Sequence, residues 1–109
     1  VKTLDNRATS FIQLKIKTPR RFSMLFMINW SIEGGNAREA NERFSSGEEN
    51  FFGCVLIGRW HAPGNVGVLI IEATDVVSIN KYMMQWDDLV DVSVTPVMDD
   101  DGALRSLQD

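Results

Sequence analysis

GCVLIGRWHAPGNVGVLIIEATD, residues 53–75, is the stretch on which the fold turns. Two runs of strand-forming residues, GCVLIGRWH at 53–61 and VGVLIIEA at 66–73, flank a Pro-Gly-Asn segment with the composition of a hairpin turn. Thr74 or Asp75 then supplies an N-cap for a helix whose Val76, Ile79, Met83 and Trp86 repeat at helical spacing. With a four-residue loop, Pro63 to Val66, Ala62 pairs with Gly67, His61 with Val68, Arg59 with Ile70 and Ile57 with Glu72. Ile57, Arg59, His61, Val68, Ile70 and Glu72 then share one face, and Leu56, Gly58, Trp60, Leu69 and Ile71 the other. A one-residue change in loop length exchanges the partners, whereas alternation along the strand keeps Trp60 and His61 on opposite sides.

Toward the N-terminus, MLFMINWS (24–31) is an apolar run of strand formers ended by Gly34 and Gly35. Asn36 is placed to cap a helix with Glu39 as its capping-box partner, Ala37, Ala40 and Phe44 forming the apolar stripe and Gly47 the stop. Toward the C-terminus, DVSVTPV (91–97) is a last strand, with Pro96 marking an edge or an end. Strand, helix, strand, strand, helix, strand is the ferredoxin-like pattern: an antiparallel four-stranded sheet with both helices on one face, an α+β fold. Matching apolar faces predicts a helix-side core of Phe26, Ile28, Trp30, Trp60, Leu69, Ile71, Val92 and Val94. The polar set Asn29, Arg59, His61, Glu72 and Thr95 collects on the opposite face. A small sheet apolar on both sides needs a second cover, so a homodimer through that face, two sheets back to back in a barrel-like sandwich, is expected.

The 109 residues divide into a basic N-terminal arm at 1–23, a ferredoxin-like domain at 24–101 and an acidic C-terminal tail at 102–109 with a terminal helical turn. The arm holds Lys2, Arg7, Lys15, Lys17, Arg20 and Arg21 against Asp5. Within it FIQLKIKT (11–18) alternates apolar and polar residues as a half-buried strand does. Its shortage of acidic residues also fits an organelle transit peptide, and Met24 offers an alternative start with the arm as an upstream extension. The remainder is acidic, which argues against a nucleic-acid surface. A hydrophobic content of 44% with 24% charged residues suits a globular domain. The longest apolar runs, such as VGVLII, are far short of the roughly 20 residues that cross a bilayer. One cysteine and one histidine leave no intramolecular disulfide and no cluster of soft metal ligands, so no metal or cofactor is expected and a reducing, cytoplasmic setting fits best.

Each candidate functional residue has two readings. His61 is either a general base, since imidazole titrates near neutral pH, or a strand-end histidine bonded to backbone. Arg59 and Glu72 either orient a substrate or form an ion pair across a dimer interface. Trp30 and Trp60 line a ligand slot or fill the core, and Met83, Met84 and Trp86 give a soft, adaptable wall. Cys54 has no basic neighbour in sequence that would favour a thiolate. The aspartates at 87, 88, 91 and 99–101 lack the spacing of a calcium loop and read as solvated surface.

MLFMINWSI (24–32), GRWHAP (58–63), the GVLIIEATD stretch (67–75) and MQWDDLVDVSVTPV (84–97) together resemble the bacterial domain-of-unknown-function family 3303, over Met24 to about Asp100. Members of that family begin close to the position of Met24. The resemblance implies the dimeric α+β barrel group, whose members include cofactor-independent monooxygenases, haem-degrading enzymes, lactone isomerases and proteins without established activity. Three functions follow. The first is a protein binding a small apolar molecule, acyl-like or aromatic, between sheet and helices, with Trp30, Trp60, Met83 and Glu72 as ligand residues. The second is a cofactor-independent monooxygenase or isomerase in which His61 abstracts a proton and Arg59 or Asn29 stabilises the oxyanion. The third is a structural dimer without ligand.

Overall fold

The computed structural model describes residues 23–108. The strand expected at 11–18, and the rest of the arm before Ser23, lie outside the described residues. Four strands, β1 (Met24–Ser31), β2 (Val55–Ala62), β3 (Val66–Ala73) and β4 (Asp91–Val97), form one antiparallel sheet in the order β2-β3-β1-β4. Helix α1 (Ala37–Ser45) connects β1 to β2 and helix α2 (Val76–Met84) connects β3 to β4. This is the ferredoxin-like α+β arrangement. A short helix, α3 (Asp100–Arg105), follows β4, so the acidic tail has more helical structure than a single turn.

Local chemistry sets the helix ends. Asp75 caps α2 as expected, its carboxylate accepting the amide hydrogen of Ser78 at 2.8 Å. That bond and the neighbouring amides hold the Asp75 carboxyl below the usual carboxylate range. The capping box expected at Asn36 does not form: a 3-10 turn at Gly34–Asn36 runs directly into α1, so Asn36 already has helical geometry. Its side chain instead donates to the carbonyl of Leu89 (3.3 Å), tying the start of α1 to the segment before β4. Gly47, at φ 76°, lies just past the end of α1 as a left-handed stop.

Both helices pack on the face formed by Phe26, Ile28, Trp30, Leu69, Ile71 and Val92. From α2, Ile79, Tyr82 and Met83 enter the core beside buried Cys54. Tyr82 replaces Val76 in the expected stripe; Val76 is exposed. Ile28, Ile71 and Tyr82 are the largest fully buried side chains, and burying one such aliphatic group is worth about 1.5–3 kcal/mol. By contrast α1 buries only Ala40. Its inward positions carry Ala40, Asn41 and a half-exposed Phe44, and a gap is left between α1 and the sheet.

The hairpin departs from expectation by one residue, with large consequences. Ala62 pairs with Val66, so the loop is Pro63–Asn65, with Gly64 and Asn65 both at positive φ. His61 therefore pairs with Gly67, Trp60 with Val68 and Arg59 with Leu69. Arg59 and His61 move to the helix face and Trp60 to the opposite one, the reverse of the sequence assignment. A register irregularity between Leu56 and Gly58, where Ile57 is the extra residue, then restores Leu56 to the helix side against Ile71. The two slips cancel at Leu56, which packs against the core as predicted.

Candidate functional site

The gap under α1 is a cavity of about 210 Å³. Its sheet side is Ile28, Trp30, Leu69 and Val92; Ala40, Asn41 and Phe44 of α1 cover it, and Tyr82, Met83, Trp86 and Val90 close one flank. The remaining wall is polar: Glu49, Arg59 and His61.

Glu49 is the hub of that wall. One carboxylate oxygen accepts from Arg59 Nη2 at 2.7 Å; the other accepts from the Tyr82 hydroxyl at 2.5 Å and from Trp86 Nε1 at 3.2 Å. The ion pair is largely sequestered, with side-chain exposures of 12% for Arg59 and 11% for Glu49. Three donors from β2, from α2 and from the turn after α2 thus converge on one acidic residue of the α1–β2 connection. Burial and the bond to Glu49 push the Tyr82 phenol well above its ordinary value, so it stays protonated.

The connection holding Glu49 is itself clasped. Gln85 accepts the Asn50 amide hydrogen through Oε1 (3.0 Å) and donates from Nε2 to the Asn50 carbonyl (2.5 Å). The Asn50 side chain accepts from the amide of Phe52, a non-glycine residue held at φ 53°. Outside the cavity, Arg43 of α1 makes a two-pronged pair with Asp88 (2.8 and 2.9 Å), donates to the Gln85 carbonyl (2.6 Å) and lies over the Trp86 ring. α1 is thereby tied along its outer edge to the end of α2.

The aromatic rim is assembled around Gly67. His61 and Trp30 flank it in register, and a Cβ at Gly67 would overlap the Trp30 indole. Across that bare position the two rings meet edge to face at 5.3 Å, and Phe44 from α1 stands 5.2 Å from His61. The Arg59 guanidinium lies 5.1 Å from the Phe44 ring centre.

Of the residues singled out from sequence, Trp30, Arg59, His61, Met83 and Trp86 meet at this cavity, while Met84 is exposed outside it. Asn29, Trp60 and Glu72 do not line it. Asn29 pairs with Val68 and Ser93, and Trp60 with Val68, on the opposite face, where they border a wider open groove of about 450 Å³. Glu72 pairs with Leu25 and Val55 on that face and accepts from the Ser23 hydroxyl at 2.7 Å. A wall role for Trp60 fails for this cavity because the three-residue loop reverses the faces of β2, whereas Asn29 and Glu72 stay on the outer face the sequence assigned them and are parted from Arg59 and His61, which leave it. Sequence reasoning missed Glu49, Tyr82 and Phe44 as site residues. Tyr82 had a usable signal, sitting three residues after Ile79 on the same helical face. Glu49 had none, since Glu48-Glu49-Asn50 reads as a solvated loop. Burial also raises the Cys54 thiol, which disfavours the thiolate. Among the described residues no group of three or more His, Cys, Asp or Glu is placed to hold a metal ion. Nor is any helix there long and apolar enough to cross a membrane.

A ferredoxin-like α+β domain with an apolar cavity between helices and sheet is the class of protein that fold and site define. Residues 24–109 match the family described as Domain of unknown function (DUF3303), and the chain belongs to that family. Among solved structures it is similar to an uncharacterized NIPSNAP-like domain protein from Burkholderia xenovorans, with 14% identity over 72% of this chain and 85% of that one and a TM-score of 0.49. No curated protein matches it.

Proposed function

We propose that this chain binds a small, predominantly apolar molecule, aromatic or acyl-like, in the cavity under α1. The observation that carries the reading is a space of about 210 Å³ walled mainly by aliphatic and aromatic side chains. An engineered apolar cavity of about 150 Å³ accepts benzene, so this one has room for a substituted ring or a short acyl chain. Its size favours a ligand over a purely structural role. The test is titration with naphthalene, followed by quenching of tryptophan fluorescence, since Trp30 and Trp86 line the space. Saturable quenching in the wild type that is lost in Val92→Phe, which fills the cavity from the sheet side, supports the reading. A wild-type protein that takes up no naphthalene refutes it.

A second reading, a cofactor-independent monooxygenase or isomerase, draws on the position of His61 beside the cavity and next to Arg59. His61 would be the base and Arg59 the oxyanion partner. Undiminished turnover of an identified substrate by His61→Ala rules it out.

The opposite sheet face is the surface proposed for a homodimer. Trp60 is 57% exposed there and folds back over Gly58. Sedimentation of the wild type as a dimer, and of Trp60→Glu as a monomer, is the expected result. A wild-type monomer at micromolar concentration rejects this part of the proposal.

A further inference from the structure

We infer that the cavity selects a neutral molecule bearing one hydrogen-bond acceptor, such as a ketone, aldehyde or ester, and discriminates against carboxylates. This rests on the apolar-ligand reading above and specifies which apolar ligand the wall accepts.

Arg59 is the cation of the cavity wall, and a cation in an apolar pocket ordinarily marks a receptor for an acid. Here that role is already taken. Arg59 is paired at 2.7 Å with Glu49, which lines the same cavity, and both side chains are nearly nine-tenths buried. Glu49 is further fixed by Tyr82 and Trp86, so it does not swing away without leaving their buried donors empty. A ligand carboxylate entering beside Arg59 would sit within a few ångströms of the Glu49 carboxylate, where two like charges in a poorly solvated site repel strongly. The other strong ion pair nearby, Arg43 with Asp88, is also internally balanced and faces the outside of Trp86. The guanidinium of this wall is therefore already balanced and offers no spare charge to an acid.

It does carry a spare donor. The Arg59 Nε hydrogen is buried with no hydrogen-bond partner among the described residues. A buried donor of this kind is costly to leave unmade until an acceptor reaches it. A carbonyl oxygen on a ligand supplies that acceptor without adding charge, once the guanidinium turns enough to bring Nε, closed off in the empty cavity, to the cavity surface. His61, on the same wall, is the second group within reach of a polar end. The ligand's apolar body then lies against Ile28, Leu69, Met83 and Val92.

Three probes of nearly the same shape test this: 2-acetylnaphthalene (neutral, with acceptor), 2-ethylnaphthalene (neutral, without) and 2-naphthoate (anionic). Binding to the full chain at neutral pH is read by tryptophan quenching and confirmed by calorimetry. The expected order is acetyl, then ethyl, then naphthoate, with at least a tenfold gap between acetyl and naphthoate. In Glu49→Gln the gap narrows or reverses, because Arg59 is freed for the acid. The wild-type probe series decides the matter even if that variant is poorly folded. Naphthoate binding as tightly as the ketone overturns the charge rule, and ethyl equalling acetyl overturns the acceptor, while naphthalene uptake leaves the apolar-ligand reading standing. Failure of every probe, naphthalene included, overturns both.

Discussion

Removing the carboxylate of Glu49 is the sharpest test of how this fold holds its cavity open. Glu49→Ala leaves the Arg59 charge in a site where its side chain is 12% exposed, and strips the acceptor from the Tyr82 hydroxyl and the Trp86 indole. Breaking one partner of a buried ion pair costs about 3–5 kcal/mol. Each orphaned neutral donor adds about 1–3 kcal/mol if no water reaches it. Water can enter the adjacent cavity, so the donors are partly rescued, and a total of about 4 kcal/mol is expected. That is a large share of the roughly 5–15 kcal/mol that stabilises a domain of this size. Glu49→Gln keeps one acceptor oxygen for Tyr82 and Trp86 but turns its amide NH2 toward Arg59, so it loses both the charge and the Arg59 bond at a cost of about 2–3 kcal/mol, within the range for a charge-assisted bond. Arg59→Met should cost a similar amount alone. The double variant Glu49→Gln/Arg59→Met leaves no buried charge and should sit closer to wild type than the sum of the singles, with a coupling of about 2 kcal/mol. Urea unfolding followed by tryptophan fluorescence measures all four proteins. A Glu49→Ala cost under about 1 kcal/mol, or a coupling indistinguishable from zero, would show that the Glu49 cluster is ornament and refute the reasoning.

Tyr82 is the only tyrosine in the chain, so absorbance at the phenolate band reports it alone; it should fail to ionise near the ordinary value of about 10 while the protein is folded. Because its folded value is raised, its contribution is complete below pH ~10 and falls as pH rises beyond it, and a native titration at pH ~10 contradicts the burial described here. Asp75 runs the opposite way: its folded value is depressed by the Ser78 amide, so the cap's contribution is full at neutral pH and is lost as pH falls below about 4. Asp75→Ala should lower the midpoint of urea unfolding at pH 7 and flatten the acid limb of the stability profile, and an unchanged limb would place the acid sensitivity elsewhere. Gly67→Ala drives a methyl group into the Trp30 indole and toward the Trp60 carbonyl, so a loss of about 1–3 kcal/mol and a changed tryptophan emission are expected; a neutral substitution would mean the Trp30–His61 contact is not built on a bare position.

The order of elements was legible from residue 24 onward because each carries its own local signal. An apolar run of strand formers before Gly34 and Gly35 marks β1, DVSVTPV with its Pro96 marks β4, the Pro-Gly-Asn segment marks the hairpin, and Asp75 marks the start of α2. The central core residues Phe26, Ile28, Leu69 and Ile71 followed from matching the apolar faces that the two-residue period of a strand sets. Within β2 the alternation correctly separated Trp60 from His61, since neighbouring side chains on a strand point to opposite faces.

Which of the two faces each takes was not a local property. It depends on whether Val66 belongs to the loop or to the ladder, and that is settled by Gly64 and Asn65 together taking positive φ so that Ala62 meets Val66. A shift of one residue moved Arg59 and His61 from the outer face into the cavity wall and sent Trp60 the other way. Glu49 is the deeper case. Nothing adjacent to it in sequence distinguishes it from Glu48, and its role comes from Arg59 ten residues on and from Tyr82 and Trp86 more than thirty residues on. Local pattern determined the elements of this protein because backbone preference and burial period act over a few residues. The site was decided by tertiary structure alone, because a buried carboxylate is defined by donors that only the closed fold brings to it.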